Sequence, residues 1–241
     1  GWARDEALGQ PLAEVFHILD GISRETARNP ALLAMSEDRI VGLAAGCVLL
    51  RRDGVETSIE DSAAPIHNRE GRVTGAVIVF HDVSESRAMA ARMERLAHHD
   101  FLTGLPNRAL LNERLTQAIG MARRRGKQVA LLFLDLDYFK YINDSLGHAI
   151  GDLVLQVVAE RLAACVRTTD TVCRRGGDEF VILLSEIEQI EDAARVADKL
   201  LQVFSQPQCI GGHALHVTLS IGISVYPDDG GCAETVLRNA D

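Results

Sequence analysis

The 241-residue chain has no CxxC pair, no long apolar run and no excess of positive charge. Its five cysteines, Cys47, Cys165, Cys173, Cys209 and Cys232, are odd in number, which fits neither a disulfide framework nor a zinc site. A reducing, cytoplasmic setting is therefore expected. The longest apolar stretch, VGLAAGCVLL at 41–50, is too short for a helix to span a bilayer, and no signal-peptide pattern precedes it. Position 1 is Gly, so the chain is expected to be a piece of a longer protein, with any membrane anchor lying outside it. The formal charge of −9 argues against a nucleic-acid backbone or an anionic membrane as the main partner. A phosphate ligand would then have to be held locally, by metal ions or by placed arginines.

What is present describes a packed protein. An apolar fraction of 47% and a charged fraction of 24% are those of a globular chain, and the length suits two domains. The first third reads as β-rich after a helical start. Asp53-Gly54 sits between two extended runs, a hairpin signal because Gly accepts the positive φ of such turns. A second turn, NREGR, leads into the β-branched run VTGAVIVFHDV.

From Asp82 to about His99 the pattern becomes helical, with Asp82 and Glu85 as a capping box and Met89, Met93 and Leu96 on one face. The Gly and Pro of DFLTGLPNR mark a loop, followed by a helix over about 107–125 and a buried strand, VALLFLDLD. GDLVLQVVAERLAACV gives a helix with Leu153, Val154, Val157, Val158, Leu162 and Cys165 on one face. A hairpin at RRGGDEFVILL, a helix near 192–204 and a strand pair in ALHVTLSIGISVYP complete the series. This order implies an α/β sandwich around one central sheet.

Two acidic pairs carry the chemistry. Asp135 and Asp137, two apart at the end of a buried strand, are expected to project from one face. Asp178 and Glu179 follow Gly176 and Gly177 at a hairpin tip, where the absence of Cβ atoms lets another molecule approach the backbone. If the hairpin lies beside the strand, three or four carboxylate oxygens converge. Hard oxygen ligands in that number favour Mg²⁺ or Mn²⁺ over zinc.

RRGGDEF resembles the signature of the GGDEF family, the diguanylate cyclases, which join two GTP molecules into cyclic di-GMP with release of two pyrophosphates. HHDFLTGLPNR, FLDLDYFKYINDSLGHAIGD, RTTDTVCRRGGDEFVILL and VTLSIGISVYP resemble further family blocks in the same order, over about 98–241. The resemblance implies an α+β sandwich, its central antiparallel or mixed sheet flanked by helices. It implies two Mg²⁺ or Mn²⁺ ions per site, held by Asp135, by the carbonyl of Leu136 and by Asp178. Asp178 or Glu179 would take the proton of the attacking 3′-hydroxyl. Asn143, His148 and Asp152 match positions around the guanine base, where an ionised carboxylate suits N1–H and the N2 amine. Asp152 is also placed to favour a helix N-terminus. Lys140 is a candidate for phosphate. Arg167 and Asp170 resemble the RxxD of a product-inhibition site, with Arg195 or Lys199 as a further cation.

Residues 1–83 resemble the C-terminal portion of a PAS sensor domain whose ligand and stimulus are unknown; 84–99 would be a helical signalling linker and 100–241 the catalytic domain. Cys47 is expected in the core. His17, His67 and His81 are expected to be structural rather than haem ligands. The family continues after NAD at 239–241 with a phosphate-binding helix, so the chain is expected to stop short of it. Because one site holds one GTP, the resemblance implies a homodimer. Beside the cyclase stand two other readings: a GTP- or cyclic-di-GMP-binding domain regulating a neighbour such as an EAL phosphodiesterase, and a PAS sensing and dimerisation module.

Overall fold

The computed structural model describes residues 1–42 and 46–241; positions 43–45 of the apolar run lie outside the described residues. The chain divides into two compact units, Gly1–Met93 and Glu94–Asp241. Among the described residues no helix is long and apolar enough to cross a membrane.

In the first unit, α1 (Arg4–Ala7) and α2 (Leu12–Val15) precede β1 (His17–Asp20), α3 (Pro30–Glu37), β2 (Val41–Gly42), β3 (Cys47–Leu50), β4 (Glu56–His67) and β5 (Val73–Asp82). The strands form one antiparallel sheet in which β4 pairs with β2, β3 and β5. Both expected hairpins form. Gly54 takes a φ of 81° between β3 and β4, and the Asn68 side chain accepts the Glu70 and Arg72 N–H groups between β4 and β5. β1 and β2 are short and carried no sequence signal. Asn29 caps α3 by accepting the Ala31 N–H, with Pro30 at the first helical position, where its missing N–H is not needed. Cys47 is buried, and burial, with Asp20 nearby, pushes its thiol up.

The helix α4 spans Ser84–His98. Asp82 accepts the Ser84 N–H, but among the described residues no bond from Glu85 closes the expected capping box. Met89, Met93 and Leu96 are exposed.

The second unit continues with α5 (Arg108–Arg125), β6 (Gln128–Leu136), α6 (Phe139–Leu146), α7 (His148–Cys165), β7 (Thr171–Gly176), β8 (Glu179–Ile187), α8 (Ile190–Phe204), β9 (Gln208–Ile210), β10 (His213–Leu215), β11 (Leu219–Tyr226) and α9 (Ala233–Ala240). Its central sheet runs β11-β6-β8-β7, antiparallel at every pair rather than mixed. The alternation of β6 sorts its side chains to two layers. Leu132, Leu134 and Leu136 pack with Val154, Val158 and Leu162 of α7 and Leu200 of α8. Leu131 and Phe133 pack with Leu111 and Leu115 of α5 and Val236 of α9. Each fully buried Leu contributes about 2 kcal/mol, so β6, buried at both faces, is the anchor of the unit.

Three expectations are corrected. The run ALHVTLSIGISVYP is not a strand pair: β10 pairs with the three-residue β9, and β11 joins the central sheet. On α7, Leu153 is exposed while Leu155 and Ala159 are buried, because the helix meets the sheet along Gly151, Val154, Leu155, Val158, Ala159 and Leu162. The same helix starts at His148, so Asp152 lies beyond its first turn and the dipole does not account for it.

Candidate active site

β6 and β8 are directly paired, and their register sets Asp135 opposite Glu179. Residues opposite one another in an antiparallel pair share a face, with Cβ atoms about 5 Å apart. The hairpin between β7 and β8 closes with Gly176 opposite Glu179, so the turn residues are Gly177 and Asp178, and of the two acids expected at the tip only Asp178 lies there. Gly177 has a φ of 55° and Asp178 is not in the left-handed region, which suits a type II′ turn with glycine at its first central position. Gly176, with a φ of 151°, also needs glycine's freedom. Asp178 is thereby presented at the tip and Glu179 at the first position of β8.

The acidic cluster is electrostatically strained. Burial, and then the charges of Asp178, Glu179 and Asp137, push the Asp135 carboxyl up from its ordinary value. Asp137, just past the end of β6, accepts hydrogen bonds from Thr218 at 2.7 Å and Ser220 at 2.6 Å. Among the described residues no three His, Cys, Asp or Glu side chains form a metal-holding group, so the convergence of three or four carboxylate oxygens expected from the sequence is not preassembled. The residues nonetheless fit a divalent cation. Mg²⁺ is bound by one or two carboxylates together with substrate phosphates, and positive charge here relieves the repulsion on Asp135. Leu136, whose carbonyl was expected to contribute, is buried at the end of β6. Lys140 is exposed on the first turn of α6.

Asn143 lies on α6 and His148 and Asp152 lie on α7, the helix that follows it. Gly147 joins the helices with a φ of 85°. A Cβ at Gly151 would collide with the Asn143 amide, so this glycine lets Asn143 lie against α7. His148 opens α7 and is exposed.

Sequence reasoning missed what holds the turn. Arg174 donates through Nε and Nη2 to the Gly177 carbonyl at 3.0 and 2.8 Å, and through Nη1 to Asp100 at 3.0 and 3.2 Å. Both side chains of that ion pair are largely buried, at 10% and 16% exposure. Asp100 also accepts from the Thr103 backbone and hydroxyl. Burial pushes the Asp100 carboxyl up, but the bonds from Thr103 and Arg174 outweigh it and hold the group below its ordinary value. The DFLTG loop is thus a bracket for the signature turn.

Arg167 and Asp170 lie across the unit, after α7. The Asp170 carboxylate accepts the Arg167 backbone N–H at 3.1 Å, so the acid fixes the loop and is not ion-paired to the Arg167 guanidinium. Both line a groove of about 320 Å³ with Asp192, Arg195 and Lys199. Arg195 pairs with Asp192, and Lys199 donates to the Cys165 carbonyl at 2.8 Å. Arg195 and Lys199, the two candidates for the further cation, both line the groove.

In the first unit, an apolar groove of about 650 Å³ is lined by Trp2, Val15, Phe16, Leu49, Ile78 and Phe80 among others. None of His17, His67 and His81 lines it. His67 lies 2.6 Å from Asp38.

Residues 97–241 match the family described as diguanylate cyclase, GGDEF domain, and residues 1–83 match the PAS fold. The chain belongs to the GGDEF family. It is 34% identical over its whole length to the probable diguanylate cyclase DgcE of Escherichia coli, covering 22% of that protein. It is 51% identical over 147 residues, 61% of the chain, to 21% of the bifunctional diguanylate cyclase/cyclic di-GMP phosphodiesterase MucR of Pseudomonas aeruginosa. Among solved structures, the coiled coil and GGDEF domain of DgcB from Caulobacter crescentus in complex with c-di-GMP aligns with a TM-score of 0.59 at 27% identity, over 66% of this chain and 84% of that one. The chain spans between about a fifth and about a third of the length of curated relatives it matches.

Proposed function

We propose that the protein is a metal-dependent diguanylate cyclase, condensing two GTP into cyclic di-GMP and two pyrophosphates. The observation that carries this reading is the register of Asp135 opposite Glu179 with Asp178 at the adjoining tip, in a chain of the GGDEF family. Asp135, the Leu136 carbonyl and Asp178 would hold Mg²⁺ or Mn²⁺, which when bound neutralises phosphate charge and stabilises attacking and leaving oxygens. Gly176 and Gly177 leave the turn backbone open to the triphosphate, with Lys140 nearby in the chain as a further cation. Asn143 and Asp152 would accept and donate along the guanine edge, with His148 beside them. The 3′-hydroxyl of one GTP attacks the α-phosphate of the other, and Asp178 or Glu179 receives the proton.

Each site holds one nucleotide, so two copies must face one another. The test is incubation of the 241-residue chain with GTP and Mg²⁺ over a range of protein concentrations, with chromatography of the products. Specific activity should rise steeply with concentration. A flat profile in a stable monomer would overturn the dimer requirement, and absence of cyclic di-GMP with retained GTP binding would favour a regulatory nucleotide-binding domain.

The Arg167 groove is proposed as a product-inhibition site. An arginine fork can grip guanine O6 and N7 or a phosphate, and Arg167 is not committed to Asp170. Arg167→Ala should raise the cyclic di-GMP concentration for half-inhibition by about tenfold or more, with kcat within about twofold of wild type. Initial rates at increasing added product check this; unchanged inhibition would remove the groove from the feedback. The PAS unit is proposed to regulate the catalytic unit.

A further inference from the structure

The peptide unit that joins Leu136 to Asp137 is held from one side. Its N–H donates at 3.1 Å to the carbonyl of Thr218, the residue that leads into β11. In a trans peptide the C=O and N–H point in opposite directions, so the Leu136 oxygen is turned away from β11. β6 lies between β11 and β8, and the register that sets Asp135 opposite Glu179 brings Asp178 one step further along that other side. The Asp137 side chain reaches back to the β11 side. One of its oxygens accepts from Thr218 Oγ1 at 2.7 Å and the other from Ser220 Oγ at 2.6 Å. The next residue, Tyr138, has a φ of 59°, in the left-handed region that a bulky side chain rarely adopts. Its ring is 84% exposed, so packing of the ring does not account for that backbone. A conformation of this kind persists where surrounding bonds over-determine it, and the three bonds on Asp137 do so.

We propose that Thr218 and Ser220 are positioning residues: their hydroxyls clamp Asp137 and so keep the Leu136 carbonyl aimed toward the cation of the proposed site. This rests on the metal-site reading above. Asp137 then serves the site in two ways. Its charge adds to the field on Asp135, and its hydrogen bonds fix the backbone between β6 and α6. A backbone carbonyl has no rotamer of its own, so its direction depends on the peptide plane that carries it. Groups that orient a ligand in this way, without touching the metal, set affinity as well as the ligands themselves do.

The test is Mn²⁺ binding to the 241-residue chain without nucleotide, read from the electron paramagnetic resonance signal of free Mn²⁺, beside a thermal melt. Thr218→Val and Ser220→Ala each remove a hydroxyl and change no charge, so a shift in affinity reports geometry. Each should weaken Mn²⁺ binding about threefold, and the two together about tenfold or more. Thr218→Ser and Ser220→Thr keep the hydroxyl and should stay within about twofold of wild type. Ser220 is exposed, so Ser220→Ala carries the test by itself if the double variant does not fold. Unchanged Mn²⁺ affinity, whatever happens to the melting temperature, would mean that the hydroxyls hold only the fold. Tighter binding would mean that they compete with the cation for Asp137, and failure of the hydroxyl-keeping variants to restore affinity would mean that side-chain volume matters instead. Any of these results overturns the proposal. Asp135→Asn separates the two levels of the argument. If it leaves wild-type Mn²⁺ affinity intact, the metal-site reading itself fails; if it weakens binding while the hydroxyl deletions have no effect, only the role of Thr218 and Ser220 fails.

Discussion

Replacing Asp178 with alanine should lower cyclic di-GMP synthesis on the order of a thousandfold or more while leaving the fold intact. Asp178 is the second residue of a two-residue turn, and among the described residues its carboxylate makes no hydrogen bond or ion pair. Its backbone does not occupy the left-handed region, so alanine is tolerated there without strain. Removing one negative charge also relieves Asp135, which Asp178 pushes toward protonation. Stability therefore has no reason to fall, and the melting temperature should move by no more than about 2 °C. On the proposed function the chemistry loses a cation ligand and a candidate base at once, and interactions of that kind with developing charge are worth several kcal/mol each. Chromatographic assay beside a thermal melt checks both halves. Activity within about tenfold of wild type would move the essential role from Asp178 to Glu179, and Glu179→Gln would then be the more damaging change.

The parts of this site that were legible in the sequence are those coded locally. Continuous apolar character marked β6, and the acids at its end stood out because carboxylates cannot end a core strand without a partner. Gly176, Gly177, Asp178 and Glu179 announced a hairpin through composition alone. The small errors were also local in origin: Asp178 and Glu179 were both expected at the hairpin tip, yet only Asp178 lies in the turn and Glu179 already pairs in β8. The helical pattern of α7 was read one position out at Leu153 because Val, Leu and Ala are so abundant there that more than one apolar stripe fits. What remained hidden depends on distance along the chain. Nothing in HHDFLTGLPNR indicates that its acid meets Arg174, 74 residues later, and nothing in GHAIGD indicates that Gly151 makes room for Asn143. Such contacts arise only when β6, β7 and α7 have been assembled. They determine how precisely the locally coded residues are held.

That dependence makes Asp100 the most informative position for stability. Asp100→Ala should destabilise the protein by about 3 kcal/mol, roughly 10 °C in melting temperature, since it leaves a largely buried guanidinium without its partner. The effect should carry pH dependence of a definite sign. The Asp100 carboxyl lies below its ordinary value, because the bonds from Thr103 and Arg174 outweigh the upward push of burial. A carboxylate held down in the folded state contributes its full stabilisation above the unfolded value near about 4, and loses it as pH falls through the depressed folded value. Wild-type protein should therefore begin to lose its margin over Asp100→Asn on acidification below about pH 4, and lose the charge-dependent part of it once the pH is below the depressed folded value, where both carry a neutral group at that position. The catalytic effect follows from the same geometry. Arg174 spans Asp100 and the Gly177 carbonyl, so an unanchored guanidinium releases the turn that presents Asp178. Both Asp100→Ala and Arg174→Ala should reduce kcat, and the double variant should lose much less stability than the sum of the two, because one bracket is removed in each case. Denaturant melts of the four proteins measure this. Additive losses would show that the two side chains act independently, and the DFLTG loop would then have no claim to hold the signature turn.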